Sequence, residues 1–450
     1  MKIDVLVAEI GSTTTVVNAF DGIHTESPSF LGQGQAPTSV LEGDVRIGLK
    51  GAIKDLTQKM DIQSLEYDEM FATASAAGGL KMSVHGLVID MTAKAAKEAA
   101  LGAGAIVHQI TAGKLRRADL KKFVELSPNI ILIAGGVDYG ERETAIYNAE
   151  KIAELELQIP IIYAGNIENQ EEMSLIFEGK QLSLVENVFP KIDELNVEPA
   201  RKVIQEVFEK NIMKAPGMSH VFDVVTETIT PTPGAVMQAT KLIQNCLGDV
   251  LVVDVGGATT DIHSVTEGSE ELSRIQISAE PKAKRTVEGD LGVYVNFKNL
   301  VEFIGREKLI QEGFDLEKLS EAYRHIPKNA EERVFVSRLT EEAVLQAINR
   351  HTGKIRHVYG PTGRQTIAEG KDLTQVKYII GTGGALTRLD NGKDILRKIV
   401  AQNNPNNLLL PKDDVEILLD KDYIMASIGV LSLKYEEVAL KLLQNSLRGI

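Results

Sequence analysis

The chain opens with Ile3 to Ala8, an apolar run that reads as a buried strand. Thr15 to Phe20 reads as a second strand, with Asp21-Gly22 as a hairpin turn. Between Asp44 and Leu56, apolar residues fall at Val45, Leu49, Ile53 and Leu56, steps of four, four and three that predict an amphipathic helix. Glu69 to Ser75 predicts a strand leading into Ala76-Ala77-Gly78-Gly79, followed by a short apolar run from Gly86 to Asp90. Thr92 to Ala105 is alanine-rich and predicts a helix interrupted by Gly102 and Gly104.

Beyond residue 107 the pattern alternates. Strands are expected at Asn129 to Ala134, Ile159 to Ala164 and Ser183 to Val188. Helices are expected at Glu141 to Leu157, Glu168 to Glu178 and Glu198 to Met213. Alternation at this spacing implies βαβ units and a parallel sheet. In Val224 to Gly234 the prolines end a strand, and Pro233 starts a helix running to Asn245. A second apolar strand, Val250 to Val253, precedes a glycine-rich turn and the return strand Asp261 to Val265. Mostly helical sequence fills Asn296 to Asn349. Val376 to Ile380 is a further strand, and Ile424 to Leu440 is a closing helix. The division expected is residues 1–106, an inserted α/β domain at 107–215, and 216–450.

At 450 residues the chain is longer than one growing core accommodates, which supports that division. Trp is absent, and the net charge of −14 opposes a nucleic-acid backbone, so no nucleic-acid partner is expected. A nucleotide stays open, because bound Mg²⁺ can offset local charge. The single cysteine, Cys246, rules out an intrachain disulfide, a Cys₄ zinc site and an iron–sulfur site built from this chain, and is expected to fill core. The histidines lack metal-ligand spacing. With no signal-peptide pattern and no apolar run of about 18 residues, a soluble, cytoplasmic protein without a membrane span is expected.

Candidate chemistry sits at three turns. Glu9-Ile10-Gly11-Ser12-Thr13-Thr14 and Asp254-Val255-Gly256-Gly257-Ala258-Thr259 each place a carboxylate, one apolar residue, then glycine and hydroxyl residues after a strand. Such a turn can point N–H groups at phosphate while the acid faces a metal ion. An ordinary turn between strands has the same composition, but two copies suggest facing loops that clamp one nucleotide. Gly381-Thr382-Gly383-Gly384 permits close approach of adenine or ribose, or is a strand-to-helix turn. It is not a Walker A loop. Glu98 is either a buried base or metal-facing carboxylate, or a solvated acid on a helix face. Gly135-Gly136-Val137-Asp138 and Asn166 are expected to be structural turns or partner surface.

The three turns, in this order, resemble the phosphate-1, phosphate-2 and adenosine motifs of the actin–Hsp70–sugar kinase superfamily. That resemblance implies duplicated actin-like, ribonuclease H-like α/β halves closing on ATP and Mg²⁺, with Glu9 and Asp254 toward the metal. More of the chain is similar to the MutL/GlmL family of glutamate mutase accessory proteins. The matching stretches are Leu31-Gly32-Gln33-Gly34-Gln35-Ala36-Pro37-Thr38, Thr92 to Ala100, Ile133 to Asp138, Tyr163 to Asn166 and Ala283 to Gly292. The resemblance implies an ATP-hydrolysing reactivating factor whose partner is an adenosylcobalamin-dependent mutase or aminomutase. A homo-oligomer fits as well. Glu9 departs from the aspartate usual in the wider superfamily. Glu98 and Asp261 are the candidate water-activating bases. Other readings are a small-molecule kinase, for which no acceptor pocket is evident, and a non-hydrolysing nucleotide sensor or scaffold. An electron-donating dehydratase activator would need more cysteines than Cys246.

Overall fold

A computed structural model describes residues 1–450 except 12, 76–79, 156, 193, 212–216, 219, 325, 361–362, 405–406 and 449–450. The first part runs β1 (Lys2–Ile10), β2 (Thr14–Asp21), β3 (Ser29–Pro37), α1 (Val45–Lys59) and β4 (Glu66–Ala74). The middle runs β5 (Leu80–Gly86), α2 (Lys94–Gly102), β6 (Ala105–Ala112), α3 (Arg117–Leu126), β7 (Ile130–Ile133) and α4 (Glu143–Ala153). It continues through β8 (Ile161–Tyr163), α5 (Gln170–Ile176), β9 (Leu182–Leu184) and α6 (Glu198–Asn211). The last part begins with β10 (Ile229–Pro231), α7 (Thr232–Leu247), β11 (Val250–Val255), β12 (Thr260–Val265), α8 (Glu270–Ser273) and β13 (Ala283–Glu288). Four helices follow: α9 (Phe297–Ile304), α10 (Arg306–Gln311), α11 (Leu316–Ala322) and α12 (Ala330–His351). The chain then forms β14 (Lys354–Gly360), β15 (Gly363–Glu369), β16 (Tyr378–Thr382), α13 (Gly384–Thr387), α14 (Gly392–Ala401), β17 (Glu416–Leu419), α15 (Met425–Leu431) and α16 (Glu436–Arg448).

Two sheets share one topology. The first has the order β3-β2-β1-β4-β10 and the second β13-β12-β11-β16-β17. In each, the central strand pairs antiparallel with the following hairpin strand and parallel with the strand on its other side. This duplicated three-antiparallel, two-parallel sheet is the ribonuclease H-like, actin/Hsp70-like α/β fold. A third, all-parallel sheet has the order β6-β5-β7-β8-β9.

The period-two pattern of the central strands explains how the halves join. In β1, Leu6, Ala8 and Ile10 face one core, while Val5 and Val7 face another. In β11, Leu251, Val253 and Val255 face their own core, while Val250 and Val252 join Val5 and Val7 in the shared one. Helices α7, α15 and α16 fill this shared core between the sheets. Near-continuous apolar runs in β1 and β11 are what a strand buried on both faces requires.

Several elements differ from the sequence reading. The third sheet takes its second strand, β5, from before residue 107, and its core is continuous with the first sheet through Ala95, Ala96, Ala99 and Ala100 of α2. A π-helical turn at Ile89–Ala93 precedes α2, which is shorter than the alanine-rich stretch. The expected closing helix is two helices. Leu433 and Lys434 make i→i−3 hydrogen bonds at the break, and Lys434 and Tyr435 bond Glu69 there. Apolar spacing concealed the bend because Ile428, Leu431, Ala439 and Leu442 on both sides enter the same core. The β14–β15 ribbon carries mostly polar, exposed residues, so it left no apolar signature. Cys246 is exposed on α7, not core, because the buried stripe of that helix runs through Met237, Thr240 and Ile243. Ala76 to Gly79, expected to follow a strand, lie outside the described residues. No helix among the described residues is long and apolar enough to cross a membrane.

Candidate functional site

The two acid-glycine turns are built alike. Ile10 pairs with Thr15 and Val255 with Thr260, so each hairpin closes at the same place. The Gly11 amide donates to the Thr14 carbonyl at 3.0 Å, and the Gly256 amide donates to the Thr259 carbonyl at 2.9 Å. A Cβ on Gly11 would lie 2.6 Å from that Thr14 oxygen, which explains the glycine. The loops face each other: a Cβ on Gly257 would lie 3.7 Å from Thr13 Oγ1. Ser12 lies outside the described residues.

The second loop is held from behind. The carbonyls of Gly256 and Gly257 accept from the amides of Val293, Tyr294 and Val295, and the Ala258 carbonyl accepts from Asn296 Nδ2 at 2.9 Å. Gly292 permits this approach, since a Cβ there would strike the Ala258 backbone at 2.2 Å. Among the described hydrogen bonds, the amides of Gly257, Ala258 and Thr259 donate none. A loop whose carbonyls are engaged and whose amides meet no acceptor among the described residues is suited to an anion. The first loop is braced by Thr38, whose Oγ1 donates to the Gly11 carbonyl and whose amide donates to the Thr13 carbonyl.

The acids gather at the ends of the central strands. Glu9 is buried, and burial first, then the charges of Asp420 and Asp254, push its carboxyl up to about 8. Asp254 is pushed up to about 7 by burial, then by Asp261. Asp254 and Asp261 are direct cross-strand partners, which places two carboxylates side by side. Burial also raises Asp261, whose Oδ1 accepts from the fully buried Arg285 at 3.2 Å. Arg285 in turn donates to the Leu101 and Ala105 carbonyls of the middle part. Asp420, invisible as a candidate in the sequence, caps α15 by accepting from the amides of Ile424 and Met425. It also accepts from Thr382 Oγ1 and Ser446 Oγ.

The third turn presses on the end of β11. Gly383 has φ +84°, and a Cβ there would lie 2.5 Å from the Val255 carbonyl oxygen and 2.6 Å from Asp254 Oδ1. Gly384 opens onto free space. Gly381 and Thr382 do other work: Gly381 makes room for Leu396 and Leu419, and Thr382 is buried against Asp420. Glu98 is buried on α2, which removes the solvated alternative. Its Oε1 lies 3.7 Å from Lys371 Nζ and its Oε2 has no partner among the described residues. The structure thus groups Glu9, Asp254, Asp261 and the three turns, and pairs Glu98 elsewhere. Asn166 is a turn residue: its Oδ1 accepts from the Tyr139 and Glu168 amides, and Asp138 accepts from the Ile167 amide.

The donor set suits a phosphate with a cation: acids that raise one another end the strands leading into two glycine loops. Among the described residues no three His, Cys, Asp or Glu side chains converge as a metal cage. A cation here would therefore lean on water and phosphate, as Mg²⁺ commonly does.

Comparison with known proteins bears on the whole chain. The MutL protein family model matches residues 5–447. The protein MutL of Clostridium tetanomorphum is 36% identical over 460 residues, covering 98% of this chain and 98% of its own length. Among solved structures, nucleotide-free acetone carboxylase aligns with a TM-score of 0.42 and 12% identity over 96% of this chain and 70% of its own. Diol dehydratase-reactivating factor aligns with a TM-score of 0.38 and 10% identity over 96% of this chain and 99% of its own. With a family model spanning nearly all its length and so similar a full-length relative, the chain belongs to the MutL protein family.

Proposed function

We propose that this protein is an ATP-hydrolysing accessory factor that reactivates an adenosylcobalamin-dependent mutase or aminomutase. The observation that carries the nucleotide reading is the facing pair of hairpins, with matched acids and the Thr13 and Gly257 positions within contact distance. Family membership supports the partner.

In this reading the amides of Gly257, Ala258 and Thr259, with Gly11, Thr13 and Thr14 opposite, bind the phosphates. Gly383 and Gly384 border the adenosine. Glu9 and Asp254 would hold hydrated Mg²⁺, which supplies charge neutralisation on the phosphates. Asp261 is better placed than Glu98 to orient the attacking water, because it stands opposite Asp254 and Arg285 fixes its orientation. Glu98 is turned to Lys371. Because the loops belong to different sheets, nucleotide between them couples to the angle between the halves, and that motion would act on the partner.

The test is ATP hydrolysis by Asp254→Ala, expected to fall by about 100-fold or more; unchanged hydrolysis rejects the site. The partner reading predicts ATP-dependent release of cobalamin from an inactivated mutase. Release that is independent of ATP and Mg²⁺ rejects it.

A further inference from the structure

A polar seam crosses the shared apolar core at Glu9. Asn18 is the cross-strand partner of Val7, and Gln33 is the partner of Asn18, so Glu9, Asn18 and Gln33 share one face of the first sheet. That face meets the second half. Ser427 on α15 donates to Glu9 Oε1 at 2.7 Å, and Asn18 Nδ2 reaches the same oxygen at 3.1 Å and Ser427 Oγ at 2.8 Å. Gln33 Nε2 donates to Asn18 Oδ1 at 2.9 Å, so the Asn18 amide keeps its donor end toward Glu9. Gln33 itself is held by the carbonyls of Asp422 and Tyr423 and by Arg388 Nη2, all from the second half.

We propose that Ser427 and Asn18 are the positioning residues of Glu9, and that together they aim it at the cation. Both side-chain hydrogen bonds land on Oε1, and the Ser427 backbone amide also bonds the Glu9 carboxyl. The length of the side chain is part of the device. An aspartate would end roughly 1.5 Å short, the length of one carbon–carbon bond, and lose Ser427. Glu9 thus substitutes for an aspartate by reaching across the interface. The inference rests on the nucleotide reading and adds to it the two residues, one from each half, that orient Glu9.

The experiment is calorimetric titration of ATP into the full chain, with Mg²⁺ and with EDTA, for wild type, Ser427→Ala, Ser427→Thr, Asn18→Ala and Lys434→Ala. Lys434 bridges the halves through Glu69 and Glu227, remote from Glu9, and so reports on interface strength alone. Ser427→Ala and Asn18→Ala are expected to cut the Mg²⁺-dependent gain in affinity roughly tenfold or more, the worth of a hydrogen bond to a charged group. They should leave binding in EDTA unchanged. Ser427→Thr should keep the gain, and Lys434→Ala should not alter it. A wild-type gain in Ser427→Ala, or an equal loss in Lys434→Ala, overturns the inference while the nucleotide site stands. Wild type that binds no ATP overturns both.

Discussion

Glu9 and Asp254 make the nucleotide-free protein sensitive to pH. A glutamate in the unfolded chain titrates near 4.3, whereas burial holds Glu9 at about 8 in the fold. The folded state therefore keeps a proton that the unfolded chain has given up, and stability falls as pH rises between those values. Asp254, at about 7, acts in the same direction. Melting of metal-free protein should drop from about pH 6 to about pH 8.5, and Glu9→Gln should flatten part of that slope. Equal slopes in the two proteins would show that Glu9 is already ionised. Both acids were legible because each follows an apolar run and precedes a glycine turn. Ser427 and Asp420 were not: Ser427 meets Glu9 across 418 positions of sequence, and a serine within an apolar helix has no local signature.

Element packing is decided at close approaches. Helices α7 and α15 meet at Gly429, where a Cβ would lie 1.8 Å from the Ala235 carbonyl oxygen. Gly429→Ala must push the helices apart, and should destabilise the fold by about 1–3 kcal/mol in urea unfolding. A neutral effect would mean that this helix pair yields easily. Long strands and helices such as β1, β11 and α1 were legible from period alone. The β14–β15 ribbon was not, since its residues mostly contact solvent and its pairing rests on backbone hydrogen bonds. Nor was the break after α15, where the apolar stripe continues although the backbone turns.

For the whole molecule, Arg285 is the tie. It lies fully buried on β13 of the second half, pairs with Asp261, and donates to carbonyls at the end of α2 and the start of β6. Removing it leaves Asp261 buried without its cation. Arg285→Met should therefore cost about 3–5 kcal/mol in chemical unfolding, and adding Asp261→Asn should recover part of that. No recovery would place the worth of Arg285 in its carbonyl contacts. The same tie explains why the middle sheet does not stand apart: α2 shares its core with the first sheet and its carbonyls with Arg285.

The sequence by itself determined the central strands, the two acid-glycine turns and the family. Those rest on local period and on residue order, which short-range sterics and burial dictate. Only the tertiary structure decided that Thr13 faces Gly257, that Glu98 turns to Lys371, that Asp254 stands opposite Asp261, and that Ser427 holds Glu9. Each of these is a contact between distant segments. It is set by how two sheets share one apolar core, and that packing leaves no periodic trace in the chain.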